Sequence, residues 1–210
     1  MNFIDVNQQI SNFLNHFPHL SEEEKLTFLH FNQFHQHRPI DEILEIYVQN
    51  PDARVLKTIG EWQHFSNESF ADFHSKEGVK IWDNNGNLKE VLYDASQVIL
   101  NTEISIPSSI NDEPLLFIEL ASQIDKKISE VQDISKEQKS LANHLALYNL
   151  FDYLGFFLDS ESEYEHFISI TLKSMKKIPS GEKLLSIFSL ANSCSSHLTQ
   201  SPYSDSGNCN

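Results

Sequence analysis

The chain has 210 residues, of which 40% are hydrophobic and 11% aromatic, with only 6 glycines and 7 prolines and a formal net charge of −15 at pH 7. That much apolar material excludes wholesale disorder, and the length fits one domain of ordinary size or a domain with a helical extension. No apolar run approaches the roughly 18 residues that a spanning helix requires, and residues 1–5 show no basic region ahead of an apolar stretch, as a secretory signal would.

These features predict a cytoplasmic protein without a membrane partner, in which Cys194 and Cys209 are reduced thiols rather than a disulfide framework. The acid excess is heaviest between residues 101 and 170. The one basic cluster is Lys173, Lys176, Lys177 and Lys183. A protein whose affinity comes from neutralising phosphates needs a positive face. Overall acidity therefore weighs against strong nucleic-acid binding and suits a basic protein partner, including one that itself handles nucleic acid.

Along the chain, Phe3, Val6, Ile10, Phe13, Leu14 and Phe17 recur at helical spacing, predicting a helix over 3–16 that ends near Pro18. Ser21 and Glu24 form a capping-box pair that opens a second helix. Pro39 suits the first turn of a third, over 41–48, which Asn50-Pro51-Asp52 stops. Residues 54–59 read as a short strand, and 61–65 as a helical turn with Trp62 buried. Residues 79–82 and 88–94 read as two strands of a hairpin turning on Asn84-Asn85-Gly86-Asn87, where Asn and Gly accept positive φ cheaply. Helical periodicity returns over 120–131, 136–158, 163–175 and 183–195, and residues 201–210 read as a frayed polar tail. The expected class is α+β: N-terminal helices packed on a small antiparallel-rich sheet, followed by a helical C-terminal region. The domain boundaries implied are 1–100, 101–200 and the tail 201–210.

No catalytic constellation, metal site or cofactor motif emerges. His30, His35 and His37 lie close together, but no His-Glu-x-x-His or zinc-spaced cysteine pair accompanies them, so surface or capping histidines are the reading. The glycines are isolated, which excludes a phosphate loop, and Cys194 lacks an elbow or electropositive surroundings. The strongest charge feature is the acidic segment with Asp159, Glu161, Glu163 and Glu165. It reads either as a solvated loop or as a decoy for phosphate facing the basic channel of a nucleic-acid enzyme.

One set of motifs resembles a family. Residues 45–55 (Glu45 to Val55, with Gln49-Asn50-Pro51-Asp52-Ala53), then Glu61-Trp62, then Gly78-Val79-Lys80-Ile81, then residues 91–97 (Val91 to Gln97) follow the order seen in the N-terminal domain of ArdC-like and LtrC-like antirestriction proteins of plasmids and conjugative elements. The resemblance covers about residues 10–100, with Gln49, Pro51, Asp94, Ser96 and Gln97 as its motif residues. It implies single-stranded DNA binding and the shielding of incoming DNA from host defences. The sequence departs from the family at its basic turn, where Ser75 and Glu77 stand in place of a glycine and a lysine. A phosphate-contacting turn would lose charge and backbone access by that change.

The resemblance and the acidity together suggest a mobile-element anti-defence protein, not an enzyme. Its partner would be a host RNA-guided CRISPR nuclease or its guide complex, inhibited by blocking the nucleic-acid channel or guide loading through the acidic patch. The alternative is a single-stranded DNA-binding accessory protein of conjugation, stacking bases on Trp62 or Trp82 and holding phosphates with Lys76, Lys80 and Lys89.

Overall fold

A computed structural model describes residues 1–65, 72–73, 77–99, 114–153, 161–178 and 180–199. The fold is α+β. Its contacts divide the chain into two compact units, one comprising residues 1–16 and 26–107 and the other residues 17–25 and 108–210.

The first unit holds helix α1 (Phe3–His16), most of α2 (Glu22–His35), α3 (Ile40–Gln49) and α4 (Ile59–Phe65). Its strands are β1 (Leu56–Lys57), β2 (Asp72–Phe73), β3 (Val79–Trp82), β4 (Leu88–Asp94) and β5 (Val98–Ile99). An antiparallel sheet runs in the order β1-β4-β3, and β2 pairs with β5 in a separate two-stranded ladder. Burial alternates along β3: Val79 and Ile81 are buried, whereas Lys80 and Trp82 are half-buried. From the helices, Val6, Phe28, Leu29, Ile43, Leu44 and Ile46 supply the core, and Leu92 supplies it from β4. Tyr47 sits among Phe13, Phe28 and Phe31, with ring centroids 5.0–5.1 Å away in tilted or edge-on geometry, the arrangement aromatic quadrupoles favour.

The hairpin between β3 and β4 follows from its side chains. Asp83 accepts the backbone N–H groups of Asn85 and Asn87, and Gly86 takes a φ of +79°, which only glycine adopts freely. The second helix opens on the expected box: Glu24 accepts the Ser21 N–H at 2.8 Å, and the Ser21 hydroxyl accepts the Glu24 N–H.

The second unit contains α5 (Pro114–Glu130), α6 (Lys136–Tyr153), α7 (Glu161–Met175) and α8 (Gly181–Thr199). The central helix is α6, which packs on the other three. Leu141, Ala142, Leu145, Ala146, Tyr148 and Leu150 are all buried, more than one stripe of its surface. Asn149 is buried too, and its amide donates to Asn192 Oδ1 at 2.9 Å and Ser195 Oγ at 3.2 Å on α8. A polar group so placed needs such partners to offset its desolvation.

Four expectations are corrected. The strand expected over 54–59 shrinks to Leu56–Lys57. The N–H groups of Arg54 and Val55 turn instead to the Asp94 carboxylate, and Thr58 caps α4 with Glu61. Pro39 lies one position earlier than expected, as the N-cap of α3. Helix α5 starts at Pro114, where proline fits a first turn, although periodicity is clear only from Leu120. His35 is not a surface residue: it is buried, with Nε2 2.9 Å from the Ala53 carbonyl, and burial pushes its pKa down. The end of the 136–158 helix, the tail 201–210 and Cys209 lie outside the described residues.

Candidate functional site

The residues that carry the resemblance lie in the first unit, and Gln49, Asp94, Ser96 and Gln97 each have a structural task. Gln49, on the last turn of α3, faces the outer edge of β3. Its Nε2 donates to the Lys80 carbonyl at 2.8 Å, and its Oε1 accepts the Lys80 N–H at 3.1 Å. The side-chain amide thus pairs with Lys80 as a neighbouring strand would. One helical turn earlier, Glu45 Oε2 accepts the Trp82 N–H at 3.0 Å. The spacing i, i+4 puts both side chains on one face of α3, level with alternate residues of β3.

Asp94 ends β4 and accepts the N–H groups of Arg54, Val55 and Ser96 at 2.8–3.1 Å. Gln97 closes the box: its Oε1 accepts the Asp94 N–H, and its Nε2 donates to the Glu77 carbonyl. Burial alone would raise the Asp94 carboxyl, but the donors at Ser96, Arg54 and Val55 outweigh it and hold the group below its ordinary value. Pro51 is exposed in the turn that leaves α3. Around Gln49 and Gln97 lies a small pocket of about 160 Å³, also lined by Met1, Glu77, Gly78 and Lys80. Both glutamine side chains in its wall already bond backbone groups.

The candidate nucleic-acid contacts are placed unevenly. Trp62 is 0% exposed and donates its indole N–H to the Tyr93 carbonyl at 2.8 Å, so its ring fills the core and offers no face to a base. Trp82 is half-buried beside Phe3, with ring centroids 6.1 Å apart. Lys80 Nζ lies 3.4 Å from the Met1 carbonyl. Lys89 is 54% exposed and pairs with Glu42 at 2.6 Å, and that hydrogen bond and charge raise its pKa. Glu42 also meets Arg38, which reaches Glu90 at 3.0 Å, making a four-residue ion network across α3 and β4. Lys76 lies outside the described residues.

Of the acidic patch, Asp159 lies outside the described residues, and of Glu161 and Glu163 the structure describes only helical backbone in α7. Glu165 is exposed on the same helix. Among the described residues no group of three or more His, Cys, Asp or Glu side chains is disposed to hold a metal ion, and no helix is long and apolar enough to cross a membrane. Cys194 is buried in α8, and burial pushes its thiol pKa up, which disfavours the thiolate.

Sequence reasoning placed Glu45 in the resembling stretch but assigned it no role. It is 8% exposed, and burial, with Glu42 and Asp41 nearby, drives its carboxyl from 4.5 to about 7 even though the Trp82 N–H pulls the other way. Its signal was present: Glu45 stands between Leu44 and Ile46 in a helix whose apolar face is broad.

Compared with family models, with curated proteins and with solved structures, the chain has no match. The ArdC-like resemblance therefore rests on the residues alone.

Proposed function

We propose that this chain is an anti-defence protein of a mobile element that binds a host RNA-guided nuclease and inhibits it, by occupying its basic nucleic-acid channel or by disturbing guide loading. Charge carries this reading. The formal net charge is −15, heaviest in the stretch that holds Asp159, Glu161, Glu163 and Glu165. A surface of that sign attracts a basic channel and repels a phosphate backbone. The placement of Trp62 and Lys89 supports the same preference, because one ring is buried and one ammonium is paired with Glu42. The order of the motifs from Gln49 to Gln97 supports a mobile-element origin.

The test is target-DNA cleavage by a purified RNA-guided nuclease, with the protein added before or after guide loading. Inhibition at both stages fits a blocked channel, and inhibition only before loading fits interference with the guide. Full activity at large molar excess would overturn the reading against that nuclease and bring single-stranded DNA binding forward. If reversing the charge of Asp159, Glu161, Glu163 and Glu165 left inhibition unchanged, the acidic-patch contact would be wrong.

A further inference from the structure

The second unit carries an open groove. It runs between α5 and α6 and measures about 420 Å³, a volume within the range of small-molecule sites. Helix α6 lines it with a stripe at i, i+3, i+4, i+7, i+8 and i+11: Lys136, Lys139, Ser140, Asn143, His144 and Leu147. Helix α5 lines it with Asp125, Ile128 and Ser129. The chemistry is graded along the groove. At one end are Lys136 and Lys139, the latter donating to the Ser129 carbonyl at 2.7 Å. An ammonium carries three donors, so this bond leaves Lys139 able to bind an anion. In a chain of net charge −15, this lining has two lysines against one aspartate.

Further along, acceptors gather. The Asn143 amide donates to Asp125 Oδ1 at 2.9 Å, which aims its own Oδ1 away from that carboxylate. That oxygen is buried and has no hydrogen-bond partner among the described residues. Leaving it so costs free energy, and a donor brought by a ligand would remove the cost once the amide turned slightly toward it. His144 holds its ring against Phe167 at a centroid distance of 5.6 Å, and Ile128 and Leu147 add apolar wall.

At ~1.5 Å of rise per residue, the lysines stand roughly 6–10 Å along the helix from Asn143. Inorganic phosphate alone is too small to bridge that span. A phosphate joined through a ribose to a base bearing an N–H can. We propose that the α5–α6 groove binds a nucleoside monophosphate, its phosphate on Lys136 and Lys139 and a base N–H on Asn143. The ligand is either a free mononucleotide or the 5′-terminal nucleotide of a strand. This site stands apart from the nuclease-binding reading, and a failure of either leaves the other untouched.

Titration of the full-length protein with adenosine monophosphate, followed by ¹H–¹⁵N amide shifts, tests it. Saturable shifts confined to residues 125–147 are expected. Inorganic phosphate and adenosine should each bind at least tenfold more weakly. The N6,N6-dimethyl analogue, which lacks the amine donors, should also lose affinity. Lys136→Ala, at an exposed residue, should weaken the nucleotide and inorganic phosphate alike, whereas Asn143→Ala should weaken only the nucleotide. A 5′-phosphorylated dinucleotide that binds more tightly than the monophosphate assigns the ligand to a strand end; weaker binding assigns it to the free nucleotide. Inorganic phosphate matching the nucleotide, shifts outside the groove, or parent-like binding by both variants would overturn the proposal.

Discussion

Replacing Glu45 with glutamine should stabilise the first unit at alkaline pH and leave it nearly unchanged in mild acid. The carboxyl is 8% exposed and its pKa is raised from 4.5 to about 7. Between those values the folded state binds more protons than the unfolded chain, so stability falls as pH rises. The contribution of neutral Glu45 is fully present below 4.5 and is lost as pH passes through 7. A difference of 2.5 pKa units at 1.36 kcal/mol each sets the span at about 3 kcal/mol. Glutamine keeps an oxygen to accept the Trp82 N–H and has no proton to lose. Urea unfolding followed by tryptophan fluorescence reads this unit alone, because Trp62 and Trp82 are the only two tryptophans and both lie in it. His35 and His37 also titrate with pKa values lowered by burial, so the quantity to plot is the variant minus the parent at each pH. That difference should grow from near zero at about pH 4 to about 3 kcal/mol above pH 7. A difference independent of pH would refute the assignment of a buried, proton-linked carboxyl to Glu45.

Three further outcomes follow from the same geometry. Asp94→Ala removes the acceptor of three backbone N–H groups and should cost the first unit about 2–4 kcal/mol in urea unfolding. Because the folded Asp94 pKa is lowered, the parent's advantage over this variant should be full near neutrality and fade as pH falls below about 4. Gly78→Ala should destabilise the same unit by about 1–3 kcal/mol, since a Cβ there would lie 2.6 Å from both the Leu92 carbonyl and a Val91 methyl. Asn192→Ala takes a buried partner from Asn149 and should lower the second unit's stability by about 1–3 kcal/mol, read as faster amide exchange in α6 and α8 with the α1–α4 amides unchanged.

Elements that carry their own local signals were legible in the sequence. The Ser21–Glu24 box, the periodicity of residues 3–16 and the Asn-Gly turn each act over a few residues, and each appears where expected. What depends on distant partners was not legible. The strand around Leu56 is short because a carboxylate about 40 residues away takes the N–H groups of Arg54 and Val55. The β2–β5 ladder joins residues 25 or more positions apart with only two pairs, too few to leave a pattern. For the candidate site, Asp94 and Gln97 stand close enough in sequence to be read as closing the strand end by local hydrogen bonds, and they do, whereas the reach of Gln49 to Lys80 was not legible. Trp62 had two readings, core or base-stacking, and burial favours the first. Glu45 was hidden because a carboxylate in an acidic chain reads as surface until its neighbours are known.

The pairing of Gln49 and Glu45 with β3 bears on how a partner can be recognised. Many complexes form by strand addition, in which a guest segment zips onto an open sheet border through main-chain hydrogen bonds. Here the outward groups of Lys80 and the outward N–H of Trp82 are already occupied by side chains of their own helix. A guest strand at this border would have to displace both before gaining a single ladder bond. The same arrangement blocks self-association of two copies through β3. Recognition on this side of the sheet must therefore be written in side chains, where single substitutions can retune it without disturbing the backbone.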